Sequence, residues 1–280
     1  MVLVFKRLSG GGIRRKDSNS KKHFKVIGVL IVLALVAAGF YYLGSLDFGG
    51  VKVGKKPKVA VVNVTGVIEN FQTAHRVSRT AEDKTVKAAV IKVNSPGGYV
   101  SPCFQLESAI SKLAEEKPTV GAVGQLGASG AYLAVSAVDN LYVHHSSLVG
   151  ALGVIAIWIS YKEYYENKGI EHYVFKTGPH KDMYAPWRGP TENEKEMIRK
   201  EIDRIEDRML GEIIQNRPSL ENNLPLSLVG GEIVRGFESV EMNLAEGIIG
   251  TYGEAIEKAA EAAGLSEGEY QVVRAENLTG

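Results

Sequence analysis

The chain has 280 residues, 45% of them apolar, with 33 basic and 32 acidic side chains and a formal net charge of +1. That length and apolar content suffice for one large core with an accessory segment, and they exclude a disordered chain. Lys6, Arg7, Arg14, Arg15, Lys16, Lys21, Lys22 and Lys25 face only Asp17 within residues 1–25, leaving 25 basic against 31 acidic side chains beyond, which excludes a nucleic-acid footprint spread over the folded body.

Residues 26–44 follow the basic head as nineteen positions without a charge, VIGVLIVLALVAAGFYYLG. At about 1.5 Å per residue a helix of that length just crosses a hydrocarbon core of roughly 30 Å. Tyr41 and Tyr42 stand at its far end, where aromatic rings favour the membrane interface. Ala37-Ala38-Gly39 would suit a cleaved signal peptide, but the apolar run continues through Leu43 and favours an uncleaved anchor. The positive-inside rule then keeps residues 1–25 in the cytoplasm and sends the rest across the cell membrane. Residues 45–57, rich in Gly and Lys, read as a linker, and residues 58–280 as one extracytoplasmic domain. Cys103 is the single cysteine, so no intramolecular disulfide can form; it reads as a small buried apolar residue.

Short β-branched runs predict strands over 59–64, 88–93 and 118–123, with helical patterns over 71–84 and 101–116 between them. A helix is expected from Ser129 to about residue 138, strands over 141–143 and 149–157, a helix over 161–168 and a strand over 171–176. The longest helical pattern, 191–216, opens on Thr191 with Glu194 placed to close a capping box. Helices over 236–246 and 252–263 flank a short strand near 248–249. Strand and helix alternate throughout, which predicts an α/β fold with a mostly parallel sheet flanked by helices.

Three segments carry candidate chemistry. Ser129 lies in Gly127-Ala128-Ser129-Gly130-Ala131-Tyr132, where small neighbours would leave a hydroxyl exposed at a helix start whose N–H groups favour an anion. Lys181 follows fifty-two positions later in Lys176-Thr177-Gly178-Pro179-His180-Lys181-Asp182, a turn expected to leave a strand at a sheet edge. Gly97-Gly98, in Asn94-Ser95-Pro96-Gly97-Gly98, can turn backbone N–H groups toward an oxyanion. A serine needs a neighbour to take its proton, and a lysine can do so only as a neutral amine. Each segment also has a plain reading, as close helix packing, a solvated loop lysine or ordinary turn chemistry. The three gain weight by following predicted strands on the side where parallel α/β sheets place their sites. A Ser-His-Asp arrangement drawing on His144, His145 or His180 with Asp139 or Asp182 is the weaker alternative. The histidines lack metal-ligand spacing and no HExxH is present, which speaks against a metal, and because an amine base, a hydroxyl and N–H donors complete the mechanism no metal or organic cofactor is expected.

Those segments, together with Ser147-Leu148-Val149-Gly150-Ala151-Leu152-Gly153-Val154-Ile155, resemble the signal peptide peptidase A family in order and spacing over about residues 58–250. The resemblance implies a Clp protease/crotonase-like fold behind an N-terminal transmembrane helix. It implies Ser129 as nucleophile, Lys181 as general base and the backbone of Gly130, Gly97 and Gly98 as oxyanion donors. It further implies homo-oligomers in which serine and lysine can come from neighbouring subunits, with membrane-embedded signal-peptide remnants, and unfolded chains, as substrates. Leu126, Val149, Leu152, Val154 and Ile155 are candidates for an apolar substrate groove, and core packing accounts for them equally well. Ala131 stands where many relatives carry a second glycine, and the body is short enough for a single-domain form. Two alternatives differ in class: a membrane-bound serine protease specific for a stomatin-type partner, and a crotonase-like protein binding an acyl thioester.

Overall fold

The computed structural model describes residues 33–37 and 56–278. The basic head, nearly all of the linker and the anchor apart from a helical turn at 33–37 lie outside the described residues, and among those described no helix is long and apolar enough to cross a membrane. The chain divides into two compact units, the second and larger of which begins at Lys56.

Its centre is a sheet of eight strands: β1 (Lys58–Thr65), β2 (Val86–Ser95), β3 (Thr119–Ala128), β4 (Asn140–Val143), β5 (Leu148–Gly150), β6 (Ile233–Arg235), β7 (Gly247–Ile248) and β8 (Gln271–Arg274). They run in the order β6-β5-β3-β2-β1-β8, with β4 between β3 and β7. Every pairing is parallel except β5 with β6. Parallel strands need crossovers, and these are α1 (Gln72–Glu82), α2 (Val100–Glu116) and α3 (Gly130–Val135). The β-branched runs that mark β1 and β2 are apolar on both faces because both faces are covered. Ala89, Ile91 and Val93 of β2 join Leu106, Ile110 and Leu113 of α2 in one core, whereas Ala88 and Val90 meet Ala255, Ala259 and Ala260 from the opposite side. That second layer is α8 (Tyr252–Ala262).

Beyond β5 come α4 (Lys162–Asn167), α5 (Glu192–Asn216), α6 (Leu226–Val229) and α7 (Gly236–Glu241). The start of α5 is the one expected: Thr191 Oγ1 accepts from Glu194 N at 3.2 Å and Glu194 Oε2 accepts from Thr191 N at 2.9 Å. Three expectations are corrected. The helix after Ser129 stops at Val135, and the strand expected over 149–157 ends at Gly150. No strand forms over 171–176. The alternating apolar pattern of this region is real, but a strand needs a neighbour to bond. None is present among the described residues, and Ile155, Ile157, Ile159 and Phe175 stand exposed, Phe175 at 95%.

Candidate active site

β3 serves two neighbours in turn, β4 along Val120–Val123 and β5 along Leu126–Ala128. At its end the chain must reverse abruptly into α3, and Ser129 is the residue at the corner. Its backbone sits at φ 52° and ψ −128°, a conformation that glycine adopts freely and other residues only under strain. The corner is pinned by Ser129 N–H donating to the Gly150 carbonyl at 2.8 Å. The hydroxyl is left almost unengaged, with Oγ 3.5 Å from the Gly153 carbonyl oxygen. This is the geometry of a nucleophile elbow, a strained strand-to-helix turn that holds a side chain clear of the sheet.

The glycine turn after β2 closes on the same corner. Gly97, at φ +94°, approaches so closely that a Cβ would lie 2.8 Å from Gly130 N and 3.1 Å from Ser129 Cβ. Gly98 is bridged in parallel to Ile68, between an Ile68 N–H bond to the Gly97 carbonyl and a Tyr99 N–H bond to the Ile68 carbonyl, each 2.9 Å. A Cβ on Gly98 would overlap the Ile68 backbone. Within the pair the N–H groups are not equivalent. That of Gly97 donates to Ser95 Oγ at 3.1 Å, whereas that of Gly98 is turned toward the Cys103 sulfur, a weak acceptor. Gly130, as the first residue of α3, has no carbonyl one turn back for its own N–H.

Cys103 lies behind this turn, 2% exposed. A Cβ on Gly130 would strike its sulfur. Burial pushes the thiol up to about 11 despite an opposing hydrogen bond from Gly98, so it stays protonated and is no nucleophile at neutral pH.

Ser129 opens into a cavity of about 110 Å³ whose apolar wall is Val100, Phe104, Leu133, Val154, Ile155, Ile205 and Met209. Val100, Val154, Ile155 and Ile205 also border a groove of about 520 Å³ that continues over Met183, Tyr184, Met197, Ile198 and Ile202. Of the five apolar candidates from sequence, Val154 and Ile155 lie here. Val149 and Leu152 are instead fully buried in the core, and Leu126 is half-buried on β3, off the cavity wall. Phe104, Leu133, Ile205 and Met209 escaped sequence reading. They belong to α2, α3 and α5, and only the packing of those helices turns them toward Ser129.

Lys181 lies elsewhere. It is exposed in a turn that no strand delivers, and it lines neither the cavity nor the groove. Within one chain Ser129 Oγ has the Gly153 carbonyl, and not Lys181, as its hydrogen-bond neighbour. The turn is nevertheless firmly built. Trp158 Nε1 donates to the carbonyls of Ala185 and Arg188 at 3.2 and 3.1 Å, and the indole stacks on Tyr184. The histidines are also accounted for elsewhere: His144 meets Tyr252 edge-on, His145 stacks on Phe237 and His180 faces Glu194 at 3.6 Å. None lines the Ser129 cavity. Asp139 accepts from the backbone and hydroxyl of Thr119 at 2.7 and 2.9 Å.

Residues 111–266 match the family described as Peptidase family S49. Over 181 residues the chain is 28% identical to a protein named as signal peptide peptidase SppA in Enterococcus faecium, covering 64% of this chain and 52% of that one. It is 31% identical over 188 residues to a protein named as a protease in Methanocaldococcus jannaschii, covering 67% and 60%. With Protease 4 of Haemophilus influenzae it shares 27% identity over 217 residues, 72% of this chain and 34% of the other. The chain thus spans between about half and three fifths of the first two relatives.

Proposed function

Because the chain belongs to peptidase family S49, we propose that it is a serine endopeptidase in which Ser129 is the nucleophile and Lys181 of a neighbouring copy is the general base. The observation that carries this proposal is the strained elbow that holds an almost unengaged Ser129 hydroxyl against the Gly98 turn and the start of α3. In the reaction the Lys181 amine takes the hydroxyl proton as Ser129 Oγ attacks the scissile carbonyl. The N–H groups of Gly130 and Gly98 receive the oxyanion, Gly98 exchanging its weak bond to the Cys103 sulfur for it, and the ammonium then protonates the leaving amine. The neutral lysine next activates water, which releases the acyl group and restores the serine. The apolar cavity and its continuing groove suit an extended chain with apolar side chains, such as a signal-peptide remnant at the membrane or an unfolded protein. Residues 26–44 would anchor the enzyme there, with its N-terminus in the cytoplasm and its peptidase domain outside.

The test is to trap the acyl group. With a p-nitrophenyl ester the full-length protein should release a burst of p-nitrophenol equivalent to enzyme, and acid-quenched samples should carry the acyl mass on the peptide containing Ser129. Turnover with no acyl group on that peptide would sink the proposal. A second expectation concerns the oxyanion turn. Gly98→Ala should lower kcat for the same ester by about 10²–10³-fold, the loss typical when one oxyanion donor is displaced. The new methyl meets backbone, which cannot step aside as a flexible side chain would.

A further inference from the structure

Asp182 follows directly on Lys181, and a free carboxylate there would hold the proton on a lysine that must be neutral to act. Both of its oxygens are already occupied. Oδ2 accepts from Arg188 Nε at 3.0 Å, while Oδ1 accepts from Arg188 Nη2 at 2.8 Å and from Lys176 Nζ at 2.7 Å. The same guanidinium turns toward Glu194, donating from Nη1 to Oε2 and from Nη2 to Oε1, each at 2.7 Å. Glu194 is 1% exposed and is fixed to the start of α5 by its capping box. Bonds from Arg188, then from Lys176, hold the Asp182 carboxyl well below the usual carboxylate range; Arg188, then the Thr191 backbone, do the same for Glu194.

We propose that Arg188 is a positioning residue for the reaction: by gripping Asp182 and Glu194 it fixes the turn and keeps both carboxylates from pairing with Lys181, which is thereby presented without an anionic partner. This rests on Lys181 being the base. The charged groups of the turn are Lys176, His180, Asp182 and Arg188, and α5 adds Glu194. Lys176 and Arg188 balance the two carboxylates, while Glu192 is taken up by Lys195 at 2.7 Å. Arg188 makes four hydrogen bonds to the two carboxylates, more than the three donors of a lysine could supply.

The experiment is the pH profile of kcat/KM for peptide hydrolysis at low ionic strength, where exposed charges are least screened. Activity rises with pH as the base loses its proton, so a higher lysine pKa moves the acidic limb upward. Arg188→Gln uncovers the carboxylates and should move that limb up by about half to one unit; Asp182→Asn leaves surplus positive charge and should move it down by a similar amount. A clamp that merely supported the fold would lower the rate in both variants without opposed shifts, and that result overturns the proposal. If Arg188→Gln fails to fold, Asp182→Asn, nearly isosteric, decides alone: an unmoved limb overturns the proposal. Full activity in Lys181→Ala would remove the base assignment itself, a separate failure.

Discussion

Ser129→Gly is expected to give a protein that melts higher than the parent and hydrolyses no peptide. At φ 52° and ψ −128° the serine holds a conformation that costs a non-glycine residue about 1–3 kcal/mol. Glycine removes that cost but loses more freedom on folding, an opposing effect of about 0.4–1 kcal/mol. The net gain should be about 1 kcal/mol, or roughly 2–4 °C in Tm for a domain of this size. Ser129→Ala keeps Cβ and therefore the strain, and should melt close to the parent. Both should lose about 10⁴–10⁶ in kcat, as when a nucleophile is removed from a concerted set. Thermal unfolding with activity assays of the two variants checks this pair of outcomes. A glycine variant melting below the alanine variant would show that the corner stores no strain, and hydrolysis surviving in either would remove Ser129 from the chemistry.

The strain at Ser129 could not be read from sequence, although its neighbourhood could. Small residues around a serine after a strand are compatible with a packing contact or an elbow, and only the backbone angles separate them. The double-faced apolar strands β1 to β3 and the capping box of α5 were legible because each is specified by residues close in sequence. β6 and β8 were not, being three and four residues long and held in the sheet by partners distant in the chain. The pattern over 151–176 misled for a physical reason. Alternation of Ile155, Ile157 and Ile159 states that one face wants covering, not that the covering strand lies in the same chain. The cavity wall was hidden in a similar way: Phe104 and Met209 read as ordinary helical apolar residues until α2 and α5 are packed. At the glycine pair the sequence could not assign unequal roles, because the bond from Gly97 to Ser95 Oγ depends on how the turn closes.

Mixing Ser129→Ala with Lys181→Ala, each inactive alone, should restore about a quarter of the parental rate. If the serine of one copy works with the lysine of the next, a competent site needs an intact serine from one variant beside an intact lysine from the other. Random assembly in equal amounts produces that pairing at about one site in four. Lys181 is exposed and lines neither the Ser129 cavity nor the groove of its own chain, while its turn is held by Trp158 and the Arg188 clamp. A braced turn whose lysine faces outward is better suited to meeting another copy's serine than to folding back. The uncovered residues Ile155, Ile157, Tyr173 and Phe175, between 68% and 95% exposed, supply apolar surface for such a contact. Co-expression of the two variants with distinguishable tags, followed by isolation of mixed oligomers and a rate measurement, checks the prediction. Mixed oligomers without recovered activity would place the base in the same chain as the nucleophile, and the turn would then have to move across the groove to reach Ser129.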